Sequence, residues 1–401
     1  MHYPRPKWRQ RLIITILAIV GIAGLVAITT DIFQPQHPTA KKYPTTVVAK
    51  TKRASSESTT KTAAKKPLTT IVKNQTLDNY MTRLNFSGTI LVVRDNHIVL
   101  RKGYGLRNRE DKLPNEVSTP YYIGSAQKAI IATAILQLQD AHKLKVDDPV
   151  SKYLPDFPNG SQIKLRNLLT HTSGLVGHSE TNEAITPKAL VTDIEKQGIR
   201  SQPGQWHYLD SNYTVLAYLV EKISGQSLLP YLQKHIFKPA GIDSTGTYQT
   251  FDQVATHSTG YRIKNGSYVT PHLPDLSQLF GCGNLYMTAS DMYRFDKALM
   301  SNRLISKAAR KEMLTAGSSS TYGMGFYVNP GSYSSHGIVS GWNVTNNFSH
   351  SGGTYVVIMT NVQNGIKSLG QVTSNIYGIL NRSEEPSKPV ATSPSTTASS
   401  R

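Results

Sequence analysis

The sequence predicts an α+β domain, with β-strands at its two ends and helices between them, and three observations carry that prediction. Near one end, Thr89-Ile90-Leu91-Val92-Val93 and His97-Ile98-Val99-Leu100 are β-branched runs separated by Arg94-Asp95-Asn96, the pattern of a hairpin. Near the other end, Thr354-Tyr355-Val356-Val357-Ile358-Met359-Thr360 is a further strand, followed by a turn at Asn364-Gly365 and a final helix. The middle is rich in helix and loop signals and shows no internal repeat.

At 401 residues the chain exceeds an average single domain, yet its outer parts lack the apolar content of a core, which leaves one folded region over 74–382. Residues 1–11 are basic, with Arg5, Lys7, Arg9 and Arg11. Residues 12–33 form an apolar run broken only by Thr and Gly until Asp31, close to the roughly 20 residues a spanning helix needs. The cations before it hold that end in the cytoplasm by the positive-inside bias. The expectation is a single-pass cell-membrane protein, N-terminus inside and folded domain extracellular. The length of the run and the lack of a small-x-small cleavage site favour an uncleaved anchor over a signal peptide. Residues 34–73 and 383–401 are Thr, Ser, Ala, Pro and Lys-rich and read as a disordered basic linker and a disordered tail. Cys282 is the only cysteine, which excludes a disulfide within the chain and a lipid anchor near the apolar run.

The net charge of +19 divides unevenly, since residues 1–73 hold 13 Lys and Arg against 2 acids and residues 74–382 hold 29 against 21. A basic tether reads either as a soluble spacer or as an attraction to anionic lipid or an anionic wall polymer. Nucleic acid is not expected as a partner, because no recognition motif is present.

The first chemical constellation is Ser125-Ala126-Gln127-Lys128, in which residues three apart share a helix face and the hydroxyl can meet the amine. The apolar run Ala129 to Leu136 behind it marks a buried helix with the serine in its first turn. Burial there should lower the lysine pKa and leave a neutral amine to take the serine proton. The pattern alone also fits a helix cap with a surface lysine, and Ser161-Gln162-Ile163-Lys164 repeats it without a buried helix behind. A second constellation, Tyr208-Leu209-Asp210, precedes a helix that stops at Gly225; it also reads as a core tyrosine and a capping aspartate.

These phrases, together with Leu144-Lys145-Val146-Asp147-Asp148-Pro149-Val150, Leu168-Leu169-Thr170-His171-Thr172-Ser173-Gly174-Leu175, Pro203-Gly204 and Thr288-Ala289-Ser290-Asp291, run in order over the folded region. The set resembles the serine β-lactamase, penicillin-binding-protein and related esterase superfamily, in the branch near class C β-lactamases. The resemblance implies a β-lactamase/transpeptidase-like fold: an α/β sandwich whose antiparallel sheet joins both ends of the domain, is flanked by helices, and faces a mostly helical subdomain across a cleft. It implies that Ser125 is the nucleophile, Lys128 its base, Tyr208 the carrier that protonates the leaving group, and Asp210 an orienting partner where the family more often has Asn. Asp210 also adds a charge that raises the lysine pKa.

A third family motif, Lys or His then any residue then Gly, admits two alignments here. Either His336 leads and Ile338 replaces the glycine, or Gly337 and Gly341 match the family's glycines and Ser335 leads. The second keeps both glycines where backbone approaches substrate, with Ser335, His336 and Gly337 as substrate-binding residues and an oxyanion hole from the backbone N–H groups of Ser125 and Ile338. His171 falls in a structural loop. Cys282 reads as a small buried residue, and no metal or other cofactor is expected.

The implied activity is acyl transfer through an ester on Ser125 and release by water. D-Alanyl groups of the envelope are the expected substrates, with a teichoic acid D-alanyl esterase ahead of a D,D-carboxypeptidase or a β-lactamase. A catalytically silent envelope-binding module is the reading from another class.

Overall fold

The computed structural model describes residues 68–382. The basic N-terminus, the apolar run 12–33, nearly all of the linker and the tail lie outside the described residues. Among the described residues no helix is long and apolar enough to cross a membrane.

The hairpin forms where its β-branched runs lie, as β2 (Gly88–Arg94) and β3 (His97–Tyr104). Asp95 and Asn96 turn it with φ of 48° and 63°, left-handed values that Asp and Asn tolerate better than most residues. β1 (Ile71–Val72) pairs antiparallel with β3, so the fold begins inside what composition assigns to the linker. Two apolar β-branched residues facing an open strand edge suffice to recruit that stretch.

The smaller strands follow in chain order: β4 (Leu106–Asn108), β5 (Leu113–Pro114), β6 (Tyr121–Tyr122), β7 (Gly246–Thr247), β8 (Arg262–Lys264), β9 (Ser267–Val269) and β10 (Leu285–Met287). The C-terminal part supplies β11 (Tyr327–Asn329), β12 (Ser332–Val339), β13 (Trp342–Ser349) and β14 (Thr354–Thr360). The main sheet has the order β1-β3-β2-β14-β13-β12-β11, antiparallel throughout. The two ends of the domain therefore meet at the β2–β14 ladder.

Period-two alternation divides that ladder between two cores. Leu91, Val93, Val357 and Met359 face the large core beneath the helical region, and Ile90, Val92, Val356 and Ile358 face a smaller one. Helix α1 (Gln75–Arg83), capped by Asn74 whose side chain accepts from Leu77 N, covers the smaller core with the final helix (Leu369–Arg382). Across the sheet, α2 (Gln127–Asp140) is buried from Gln127 to Leu136. Each fully buried Ile or Leu there contributes roughly 1.5–3 kcal/mol, enough to hold a helix that also takes a lysine into the interior.

Candidate active site

Ser125 sits in a 3-10 turn (Gly124–Ala126) that runs directly into α2. The turn is tied to β10, with Ile123 N donating to Leu285 O and Gln127 Oε1 accepting from Leu285 N. Lys128, with no exposed surface, donates from Nζ to Ser125 Oγ at 2.8 Å and to Cys282 O at 3.3 Å, and forms an ion pair with Asp210 Oδ1 at 2.6 Å. Ser161, in a turn, and Lys164, at the start of the short helix Leu165–Leu169, are instead both exposed.

The expected neutral amine is not what this geometry holds. Burial alone pulls the Lys128 ammonium down, but the Asp210 carboxylate, joined by the Tyr208 phenol, outweighs it and raises the pKa above the ordinary lysine value. The resting Lys128 carries its proton and donates toward Ser125.

Asp210 begins the helix Ser211–Ser224, yet its side chain makes no capping hydrogen bond. It reaches Lys128 instead. Tyr208 is half-buried, its ring centre 5.0 Å from Lys128 Nζ and 4.3 Å from that of His171, the two rings tilted by 31°. His171 is wholly buried with φ of 55°, and its Nδ1 accepts from Leu209 N at 3.2 Å and from Asn212 Nδ2 at 3.1 Å. Ser173 Oγ donates to Asn212 Oδ1, and Tyr213 Oη to Leu169 O. The Leu168–Leu175 phrase is thus the cradle of the Tyr208–Asp210 phrase. Burial and the nearby Lys128 charge keep the His171 pKa well below the ordinary histidine value, so it serves as a neutral acceptor.

Beyond the end of β11, the outer edge of β12 from Ser335 onward lies against the Ser125 turn. A Cβ on Gly337 would stand 1.9 Å from Ile123 O and 2.8 Å from Ser125 N, and one on Gly124 would stand 2.7 Å from Ile338 N. Backbone meets backbone there, which the alignment led by Ser335 requires. His336 and Ile338 face outward, with His336 Nε2 at 2.7 Å from Asn343 Oδ1. Ser335 lines the cavity beside Ser125, but its hydroxyl is buried and turned to Asn346 Oδ1. Asn346 is in turn fixed by two 2.8 Å bonds to Asp296.

Ser125 opens on two cavities of about 270 and 220 Å³. The first is walled by Tyr208, Tyr322, Tyr327 and His336, and the second by Asp210, Glu180, Leu276 and Gln363. Among the described residues no lysine or arginine lines either one. Glu180 is the residue that sequence reasoning missed, for it lies in a loop with no motif around it. Its pKa is raised by partial burial and by Asp210. Cys282 is buried and contributes only its carbonyl. Among the described residues no group of three or more His, Cys, Asp or Glu could hold a metal ion.

A model of the Beta-lactamase family matches residues 74–376. The chain is 52% identical over 324 residues to a putative penicillin-binding protein, PbpX, of Bacillus subtilis (strain 168), covering 80% of this chain and 83% of that one. It is 31% identical over 265 residues to a teichoic acid D-alanine hydrolase of Staphylococcus aureus, covering 64% of this chain and 66% of that one. The crystal structure of FmtA from Staphylococcus aureus superimposes with a TM-score of 0.73 at 27% identity, over 79% of this chain and 90% of the other.

Proposed function

The chain belongs to the Beta-lactamase family and is a serine hydrolase, and from that premise we propose that it releases D-alanine from ester links on teichoic acid, with Ser125 as the acylated nucleophile. One observation carries the choice of substrate. The cavities flanking Ser125 are lined by Asp210 and Glu180 and by no lysine or arginine, and the buried Lys128 is already ion-paired with Asp210. A D-alanyl ester brings an ammonium, which suits two carboxylates; a D-Ala-D-Ala peptide or a penicillin brings a carboxylate, which they repel. The charge-assisted hydrogen bond gained or lost is worth roughly 1.5–3 kcal/mol, or about ten- to a hundredfold in binding.

In the proposed acylation, Ser125 Oγ attacks the ester carbonyl as its proton passes to Lys128 Nζ and a proton on Nζ passes to Asp210 Oδ1. Lys128 and Asp210 thereby act as one base, which reconciles a protonated resting lysine with a base at that position. The oxyanion is received by the N–H groups of Ser125 and Ile338. Tyr208 gives its proton to the departing polymer oxygen and is reprotonated from Asp210 through Lys128, and water then cleaves the acyl ester.

The apolar run after four cations supports an uncleaved membrane anchor with the domain outside. Protease added to intact cells should then remove the domain and spare the extreme N-terminus; an intact domain in the cytosol refutes the placement.

The deciding measurement is mass spectrometry of D-alanine released by the purified chain from a D-alanylated glycerol-phosphate oligomer and from a muramyl pentapeptide. Faster release from the oligomer, lost in Ser125→Ala and kept in Ser161→Ala, is the expected result. A preference for the pentapeptide overturns the substrate, and equal loss in both folded variants overturns the nucleophile.

A further inference from the structure

Two surface hairpins, β4–β5 and β8–β9, come together through one arginine. Arg109 N donates to Tyr261 Oη at 2.8 Å, and the Arg109 guanidinium lies 3.2 Å from the Tyr268 ring centre and 5.8 Å from that of Tyr261. Their joint surface holds the exposed Lys112, Arg262 and Lys264 beside the half-buried Arg109, whose charge acts on Glu110, and Arg107, which donates to His257 O at 3.2 Å. Of the acids nearby, Glu110 is held by the Tyr261 hydroxyl and Asp111 by Asn108. Arg262, Lys264, Tyr268 and Val269 are all exposed. Arg109 packs on two aromatic rings, and the exposed Lys112, Arg262 and Lys264 present charge at little desolvation cost to an incoming anion.

This surface is wired to the cavity beside Ser125. Gln363, which lines that cavity, donates from its N to Tyr261 O at 2.9 Å and accepts at Oε1 from Gly341 N at 3.0 Å. Asn364, the next residue, brackets Ile263 of β8 with two hydrogen bonds. The hairpins therefore stand at a fixed offset from the cleft.

We infer that the paired hairpins form a docking track for the phosphodiester backbone of the polymeric substrate, holding the phosphates that flank the acylated unit while that unit occupies the cavity at Ser125. The inference rests on the D-alanyl esterase reading and extends it from the acyl group to the polymer. It divides the labour by charge, with carboxylates at the cavity for the ammonium and cations on the hairpins for the phosphates. Binding through several phosphates is steeply weakened by salt, whereas recognition of a lone D-alanyl group inside the cavity is not.

The test compares the full-length wild type, the double variant Arg262→Glu with Lys264→Glu, and a charge-matched control, Lys307→Glu with Lys311→Glu, on a helix elsewhere. Each is assayed on a D-alanylated glycerol-phosphate oligomer and on D-alanyl methyl ester. The hairpin variant should raise KM for the oligomer about tenfold or more with kcat kept, leave the methyl ester unchanged, and reduce the salt dependence of KM; the control should match wild type. An oligomer KM unaltered in the hairpin variant, or raised equally in the control, overturns the track. So does loss of binding to phosphatidylglycerol vesicles with oligomer KM intact, which would assign the surface to lipid. If wild type releases D-alanine from neither substrate, the esterase reading fails first; if it hydrolyses both and only the hairpin effect is missing, this inference fails alone.

Discussion

At Lys128 two forces oppose each other, since burial disfavours its charge and the Asp210 carboxylate at 2.6 Å favours it. The pKa ends above the ordinary lysine value, so while Asp210 is ionised the charged lysine contributes stability that is full below its unfolded pKa and is lost as pH rises through the folded pKa. Replacing Asp210 with Asn leaves burial unopposed. In Asp210→Asn the Lys128 pKa should fall, and the kcat/KM profile should gain a limb that rises with pH as Lys128 deprotonates by itself. At neutral pH, kcat/KM on a D-alanyl ester should fall about tenfold or more, because the ammonium also loses a partner. A pH profile superimposable on that of wild type would remove Asp210 from the proton path. The sequence offered both opposing effects, burial and the Asp210 charge, but which of them wins depends on the distance at which the two residues meet inside the protein.

At the scale of elements, the cleft depends on β12 lying against the Ser125 turn with no side chain between them. Gly337→Ala would place a methyl group 1.9 Å from a backbone carbonyl that neither element can move, a strain of roughly 1–3 kcal/mol at the site itself. It should cut kcat at least about a hundredfold in steady-state assays and lower the melting temperature. Gly331→Ala, in the β11–β12 turn with φ of 82° and open space around it, should cost stability only. If both variants keep full activity, the close approach is not needed for turnover. The hairpin 88–104, the strand 354–360, the buried helix and the final helix were legible because their patterns are local. β13 was not, since Trp342–Ser349 carries three asparagines and becomes a strand only through its neighbours. The same holds for Glu180, whose role is defined by a cavity and not by a motif, and for Ser335, whose direction is set by Asn346.

For the whole molecule, the telling group is Asp296, fully buried and held by Asn346 Nδ2. Burial pushes its carboxyl up to about 8, against which the Asn346 bond acts only in part. A raised folded pKa means that the native state binds the proton more tightly than the unfolded chain. Its contribution to stability is therefore greatest below about pH 4 and is lost progressively as pH rises to about 8. Asp296→Asn should raise the melting temperature by several degrees at pH 9 and by less at pH 5, as read by calorimetry. A shift of equal size at both values would mean that Asp296 does not titrate in the folded protein.

The interleaving of the main sheet bears on when this protein can act. β14 lies between β2 and β13, so β12, which completes the cleft, has no place to settle until β14 has been made and inserted. A half-synthesised chain carries Ser125 as an ordinary serine beside an unshaped surface. Hydrolytic power comes only once the chain has been made through Thr360, and a copy truncated before that strand has no shaped cleft.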